Sequence, residues 1–133
     1  MKALDTNVLV RYLTQDDADQ TPVARRVIDD ALDAGESLYV SAVVLCEIVW
    51  VLESAYGLGT ERVAAAVEGL LRSAQLRYEH PARLWRALAA YRDGRGDFAD
   101  HLIGLDGLDA GASTTFTFDR ALPRSDLFTL LGP

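Results

Sequence analysis

Short apolar runs alternate along the chain with longer segments whose apolar residues recur at helical spacing. The apolar start, Met1 to Leu4, ends at a polar turn, and Val8, Leu9, Tyr12 and Leu13 then follow at intervals of three and four residues. Such spacing places apolar side chains on one face of a helix. The opening of the chain therefore predicts a strand, a turn and a helix.

A second helix is predicted to open with Thr21 as N-cap and Pro22 at its first position, and to end at Gly35. Its predicted buried stripe consists of Val23, Val27, Ile28, Ala31 and Leu32. Residues 38–40 are short, apolar and rich in β-forming types, which suits a buried parallel strand.

The third predicted helix begins after Ser41 and extends to about Tyr56. Its segment 42–52 is apolar on all sides, a pattern typical of a helix buried on most faces. Glu47 is the only charged residue in that segment. A buried carboxylate needs a compensating partner. Three explanations for Glu47 are open: a functional role, an ion pair with a distant arginine, or an exposed stripe on the helix.

The rest of the chain predicts, in order, a helix from Thr60, a strand at 76–78, a helix from Pro81, a helix from Asp97 to Gly111, a strand at 113–118 and an edge strand at 127–131. Strands that alternate with helices in this way predict a three-layer α/β domain with a mainly parallel sheet. The 133 residues fit a single domain that spans residues 1–133.

The composition limits the classes of function. A net charge of -7 argues against binding of nucleic acid through bulk positive charge. It leaves nucleic-acid substrates open, because divalent cations held by carboxylates invert the local charge. The single Cys46 excludes an internal disulfide, and the two histidines have no zinc-ligand spacing. No secretory signal and no run approaching about 18 apolar residues is present, so we expect a cytoplasmic protein without a membrane partner.

Residues 96–104 carry the densest candidate chemistry. Asp97 and Asp100 stand three residues apart at the start of a predicted helix, so they share one of its faces. The structural interpretation makes Asp97 the N-cap and Asp100 the acidic residue of the first turn. The alternative is that the pair binds a cation.

Other acids follow the ends of predicted strands. Asp5 closes the first strand and Asp119 the fourth, while Glu47 and the pair at 97 and 100 lie near helix starts that we expect at the same edge of the sheet. Clustered carboxylates repel each other unless cations neutralise them. Oxygen ligands favour Mg²⁺ or Mn²⁺. The corresponding chemistry is attack of metal-activated water on a phosphodiester.

Taken together, four motifs resemble those of PIN-domain ribonucleases, and more narrowly VapC-type toxins. The motifs are 4–7 (LDTN), Glu47, 97–104 (DFADHLIG) and 115–119 (TFTFD). The resemblance implies a five-stranded parallel sheet flanked by helices, cleavage of RNA with Mg²⁺ or Mn²⁺, and frequent homodimers. It also implies a cognate VapB-like antitoxin that silences the nuclease.

The resemblance also implies the site. The family's acids fall on Asp5, Glu47, Asp100 and Asp119. Asp97 is an additional acid, and the spacing leaves open whether Asp97 or Asp100 contacts the ion. Two polar residues match positions that orient ligands or water, Asn7 and Thr117. Candidate contacts to RNA phosphates are Arg11, Arg92, Arg95 and Arg120.

Two other classes of function compete with a metal-dependent ribonuclease toxin. A catalytically inactive PIN-like module would bind RNA or protein without cleavage, and its sequence would have lost an acid. A phosphatase with Asp5 as nucleophile would need a second aspartate two residues later as acid and base. That position is Asn7, which argues against the phosphatase.

Overall fold

The computed structural model of the chain describes residues 1–94 and 96–133. The elements in these residues are β1 (Lys2–Ala3), α1 (Thr6–Thr14), α2 (Gln20–Ala34), β2 (Leu38–Tyr39), α3 (Ala42–Ser54), α4 (Thr60–Arg72), β3 (Leu76–Arg77), α5 (Pro81–Arg92), α6 (Phe98–Asp109), β4 (Thr115–Thr117), a short 3-10 helix (Leu122–Arg124) and β5 (Phe128–Leu130). The contacts divide the chain into two compact units, Met1–Glu79 and His80–Pro133, which we call unit 1 and unit 2.

All strand pairs in the described residues are parallel, which confirms the predicted α/β class. In unit 1, β2 lies between β1 and β3, and Leu38 is in register with both Lys2 and Leu76. In unit 2, β4 pairs with β5. The expected five-stranded sheet is not found as such, because the strands are only two or three residues long and pair as a set of three and a set of two.

The second helix begins earlier than predicted, and fewer of its apolar residues face inward. Asp17 Oδ1 accepts hydrogen bonds from the backbone N–H groups of Asp19 and Gln20, at 2.9 and 2.7 Å, and the helix starts at Gln20 with no side-chain cap from Thr21. The buried stripe is Ala24, Ile28 and Ala31. Three residues of the predicted stripe are exposed instead: Val23, Val27 and Leu32. Ile28 and Ala31 are buried as predicted, and Ala24 is buried in place of Val23, so the inward stripe is narrower than predicted.

The predicted C-cap of α2 and the predicted N-cap of α3 are confirmed. Gly35 ends α2 with a positive φ of 66°, and Ser41 Oγ accepts from Val44 N–H at 3.1 Å at the start of α3. The helix α3 is buried or half-buried on most faces, as predicted, and is exposed along one stripe. Its inward face is Leu45, Ile48, Val49 and Leu52, whereas Val43 and Trp50 are 67% and 66% exposed.

Unit 2 is organised around α6. Arg83 of α5 forms ion pairs with Asp106 at 2.9 Å and Asp109 at 2.8 Å, which joins α5 to the end of α6. Two glycines of α6 allow close packing on the strands: a Cβ on Gly104 would lie 2.9 Å from the ring of Phe128, and one on Gly107 would lie 3.0 Å from Thr115 Oγ1. The helix therefore runs along one face of the pair β4 and β5.

The helices of the described residues are all too short or too polar to cross a lipid bilayer.

Candidate active site

Asp5 occupies the position that the sequence predicts, at the end of β1. It is the N-cap of α1, and its Oδ1 accepts a hydrogen bond from Thr6 N–H at 2.7 Å. Leu4 N–H bonds to the carbonyl of Tyr39 at 2.9 Å, and β1 is parallel to β2. Asp5 and Ser41, which follow these two strands, therefore leave the sheet at the same edge. The Asp5 side chain is exposed at that edge.

Glu47 lies on the outer face of α3 and is exposed, which agrees with the exposed stripe among the three explanations for this residue. It lies four residues after Val43 and three before Trp50, both exposed, and the three form one stripe on the helix. An exposed carboxylate needs no compensating partner, so burial is no argument for function here. Burial of Cys46, together with the neighbouring Glu47 charge, raises the pKa of the Cys46 thiol. That thiol stays protonated at neutral pH and is a poor nucleophile.

Asp97 and Asp100 begin α6 as predicted. Asp97 is the N-cap, and the two residues form a capping box in which Asp100 Oδ2 accepts from Asp97 N–H at 3.0 Å. This confirms the structural interpretation of the pair. Binding of a cation by the pair stays open, because the bond occupies only one of the two oxygens of Asp100. Asp97 is exposed and Asp100 is half-buried.

Asp119 lies in a tight turn directly after β4. Its backbone N–H donates to Thr117 Oγ1 at 3.0 Å, and its Oδ1 accepts from Ala121 N–H at 2.9 Å. Thr117 therefore supports the turn that presents Asp119, and the Asp119 side chain is exposed.

Gly96 brings the start of α6 close to this turn. A Cβ on Gly96 would lie 2.7 Å from Leu122 Cδ2 and 3.5 Å from Asp100 Oδ2. Leu122 is only three residues after Asp119, and it is buried. Since α6 runs back along β4, the acids of its first turn lie at the same end of unit 2 as Asp119.

Three of the predicted acids make the same kind of local hydrogen bond. Asp5, Asp100 and Asp119 each accept one hydrogen bond from a backbone N–H no more than three residues away. Such a bond fixes the side-chain rotamer. Each carboxylate keeps a second oxygen for another ligand.

The donor chemistry of these acids fits Mg²⁺ or Mn²⁺, because every predicted ligand is a carboxylate and hard oxygen donors suit these ions. Asp5 and Glu47 belong to unit 1, and Asp97, Asp100 and Asp119 to unit 2. Among residues 1–94 and 96–133, no three or more His, Cys, Asp and Glu side chains are grouped so that they could hold a metal ion.

The predicted phosphate contacts differ in their surroundings. Arg11 is engaged within unit 1: its Nε donates to Gln20 Oε1 at 2.8 Å, and its guanidinium lies 3.6 Å from Asp16 and 4.0 Å from Asp17. The exposed Arg92 is in the last turn of α5, and the exposed Arg120 follows Asp119. Arg95 lies outside the described residues.

Asn7 is exposed in the first turn of α1. It lines a groove of about 320 Å³ between α1 and α2, together with Val8, Arg11, Val23 and other residues of the two helices. The side chain of Asn7 therefore lies at the edge of this groove.

Two features near the acids were missed in the sequence. Thr6 is 5% exposed, and its Oγ1 is buried without a hydrogen-bond partner in the described part of the chain. Phe116 and Phe118 of the strand before Asp119 are 67% and 72% exposed. The alternation of Thr and Phe at 115–118 could have indicated this, because alternating residues of a strand lie on opposite faces and the two phenylalanines share one face.

Comparison with known proteins agrees with the motifs. A family model described as PIN domain matches residues 2–126. The chain is also 27% identical over 120 residues to a VapC ribonuclease of Aquifex aeolicus (strain VF5), an alignment that covers 90% of this chain and 88% of the relative.

Proposed function

Because the chain belongs to the PIN-domain family, we propose that it is an endoribonuclease that depends on Mg²⁺ or Mn²⁺, and the toxin of a type II toxin–antitoxin pair. The observation that carries this proposal is the end of unit 2 where Gly96 brings Asp97 and Asp100 beside the turn of Asp119. The name of the Aquifex relative, a VapC ribonuclease, supports RNA as the substrate.

The proposed ligands of the ion are Asp5, Glu47, Asp97, Asp100 and Asp119. When bound, the ion would neutralise the phosphodiester and activate water for in-line attack. The protein's own contribution is orientation: the backbone N–H groups of Thr6, Asp97 and Ala121 each hold one carboxylate oxygen in place. A carboxylate held in one rotamer loses less entropy when it binds a cation or positions water.

Two polar residues have supporting roles in this proposal. Thr117 accepts the N–H of Asp119 and so fixes the turn that carries this acid. Asn7 is exposed in the first turn of α1, two residues after Asp5, where its amide can orient water or substrate. The exposed cations Arg92 and Arg120 are candidates for phosphate contact, as is Arg11, whose guanidinium also bonds to Gln20.

The proposed partners follow from the same function. A protein with a net charge of -7 and exposed carboxylates offers a binding site for a basic segment. We propose that a VapB-like antitoxin inserts a cation among the acids and so blocks the nuclease. We also propose that the protein forms a homodimer and acts in the cytoplasm.

The decisive experiment measures cleavage of end-labelled RNA by purified protein freed of antitoxin, with Mg²⁺ and with EDTA. Asp100→Asn and Asp119→Asn should each lower the rate on the order of a hundredfold or more, since a catalytic ion contributes several kcal/mol to the barrier. Asp33→Asn is the matched control: it removes the same charge from an exposed site on α2. Cleavage that continues in EDTA would exclude the metal mechanism.

A second function, a catalytically inactive PIN-like module that binds RNA or protein, is favoured by one observation. The described residues contain no group of three or more potential ligands arranged to hold a metal ion. The same experiment separates the two functions. RNA that binds to the wild type yet stays intact in Mg²⁺ and in Mn²⁺ would support the inactive module.

A further inference from the structure

We propose that Phe116 and Phe118 form a platform on which unpaired RNA bases stack, next to the carboxylate of Asp119. The inference deepens the proposed ribonuclease function and rests on it. In this proposal the two rings at the end of β4 contact the bases of the RNA, whereas the carboxylates act on the phosphodiester.

The two rings lie on the open face of the small sheet in unit 2. Phe116 is in register with Thr129, and Thr115 with Phe128. The face of Thr115 and Phe128 is covered by α6, since Cβ atoms on Gly107 and Gly104 would contact these two residues at 3.0 and 2.9 Å. Side chains alternate along a strand, so Phe116 points away from α6, and Phe118, the residue directly after β4, is two positions further along the same alternation. They are 67% and 72% exposed.

The position of the rings along the chain connects them to the proposed chemistry. Phe118 directly precedes Asp119, and the turn after Asp119 contacts the start of α6 through Gly96 and Leu122. Residues two apart on a strand are about 6.6 to 6.8 Å apart. The two rings can therefore each take a separate base while the backbone of the RNA passes toward the acids.

The charge of the protein favours stacking as the source of RNA affinity. Proteins usually bind nucleic acid through clustered Lys and Arg, and a net charge of -7 provides little of that attraction. Stacking of bases on aromatic rings does not depend on positive charge and accepts any base. Single-stranded RNA is commonly bound in this way on the aromatic side chains of a sheet.

The size and surroundings of the pair argue against a protein occupant. Two phenylalanine rings bury at most about 300 to 500 Å², whereas a stable protein interface needs about 800 Å² from each partner. The neighbour in register with Phe116 is the exposed and polar Thr129. The surface is therefore two exposed rings beside the polar Thr129 and the exposed Leu131, which suits flat bases better than a large apolar interface.

The test is a binding cycle in EDTA, which separates binding from cleavage. A fluorescent uridine oligonucleotide is titrated with the wild type, Phe116→Ala and Phe118→Ala, and the titrations are repeated with oligonucleotides in which an abasic residue is moved through each position. Each alanine variant should bind the intact oligonucleotide about tenfold more weakly. With the abasic residue at the stacked position, the variant and the wild type should bind equally.

Two controls make the binding cycle specific. Phe118→Leu keeps an apolar side chain but loses the ring, so it should bind as weakly as Phe118→Ala. Leu32→Ala removes an exposed apolar side chain from unit 1 and should bind like the wild type. With Mg²⁺, the Phe118 variants should raise KM while kcat changes little. Because both rings are exposed, the melting temperature of every variant should match that of the wild type.

Several results would overturn the platform. One such result is that the alanine variants bind RNA with wild-type affinity. Another is that the alanine variants lose the same affinity on every abasic oligonucleotide, wherever the abasic residue lies. Conversion of a dimer to a monomer by Phe118→Ala in sedimentation would show that the rings bind a second copy instead. If the wild type cleaves RNA while the rings have no effect, only the platform fails. If the wild type neither binds nor cleaves RNA, the proposed function fails as well.

Discussion

A Cβ atom on Gly96 would lie 2.7 Å from Cδ2 of Leu122, closer than real Cβ contacts. The chain that enters α6 thus passes directly against the turn that follows β4. Leu122 is buried at 5% exposure, so its side chain has little room to move away. Gly96 also has a φ of +84°, a conformation that side chains disfavour. The two residues together hold Asp100 and Asp119 at one end of unit 2.

We expect Gly96→Ala to destabilise the protein more than Gly94→Ala. Both glycines have positive φ, 84° and 78°, but a Cβ on Gly94 would meet nothing within 4 Å. Gly94→Ala should therefore cost about 1 to 2 kcal/mol from backbone strain. Gly96→Ala should add about 1 to 3 kcal/mol from overpacking and lower RNA cleavage further. Urea denaturation measures the difference, and equal losses would show that the contact with Leu122 relaxes freely.

A second pair of glycines tests the packing of α6. In Gly104→Ala the new methyl would lie 2.9 Å from the ring of Phe128 and 3.0 Å from Leu127 Cβ, so we expect a loss of about 1 to 3 kcal/mol. Gly69→Ala in α4 meets nothing within 4 Å and should gain up to about 1 kcal/mol from helix propensity. Thermal melts of both variants give the comparison. Stabilisation by Gly104→Ala would show that α6 does not pack closely on β5.

Local sequence chemistry predicted the ends of the helices well. The caps at Ser41, Gly35 and Asp97 are all confirmed, because a cap is a hydrogen bond or a dihedral angle determined within a few residues. The backbone bonds to Asp5, Asp100 and Asp119 also span three residues or fewer. The positions of these acids at strand and helix ends could therefore be predicted from the sequence.

Contacts between distant segments could not be predicted in the same way. The helix with Glu47 has more apolar residues than its buried face needs, and only the packing of its neighbours leaves Val43 and Trp50 exposed. The stripe of α2 was predicted too wide for the same reason, because Val23, Val27 and Leu32 are apolar but lie outside the packed face. The approach of Gly96 to Leu122 joins residues far apart in sequence, and periodicity carries no information about it.

Arg11 and Arg120 should behave differently although both were predicted to contact RNA. Arg11 bonds to Gln20 and lies near Asp16 and Asp17, so Arg11→Ala should cost about 0.5 to 1 kcal/mol of stability and change cleavage little. Within the described part of the chain Arg120 has no ion pair, and Arg120→Ala should leave stability within about 0.5 kcal/mol while it weakens cleavage. Melting temperatures and KM values for both variants decide the assignment. A raised KM for Arg11→Ala alone would reverse it.

Asp16 makes one part of the fold sensitive to acid. Thr14 Oγ1 donates to its Oδ1 at 2.8 Å, and the hydroxyl of Tyr56 donates to its Oδ2 at 2.8 Å. These bonds, the one from Thr14 first, hold the pKa of Asp16 below its usual value. A carboxyl group whose pKa is lowered by folding stabilises the fold above its unfolded pKa, about 3.9. That stabilisation disappears as the pH falls through the lower, folded pKa.

We therefore expect Tyr56→Phe to lower the melting temperature at pH 7 and to lower it less at about pH 3, below the unfolded pKa of about 3.9, where the charge of Asp16 contributes less to stability. The matched control is Tyr78→Phe, which removes a hydroxyl that donates to the carbonyl of Leu70 at 2.9 Å. Burial raises the pKa of Tyr78, so this phenol stays protonated throughout and its loss should have the same effect at both pH values. Melting curves of the wild type and both variants from pH 7 to pH 3 measure the two effects. A pH-independent effect of Tyr56→Phe would show that Tyr56 stabilises the end of α1 without the charge of Asp16.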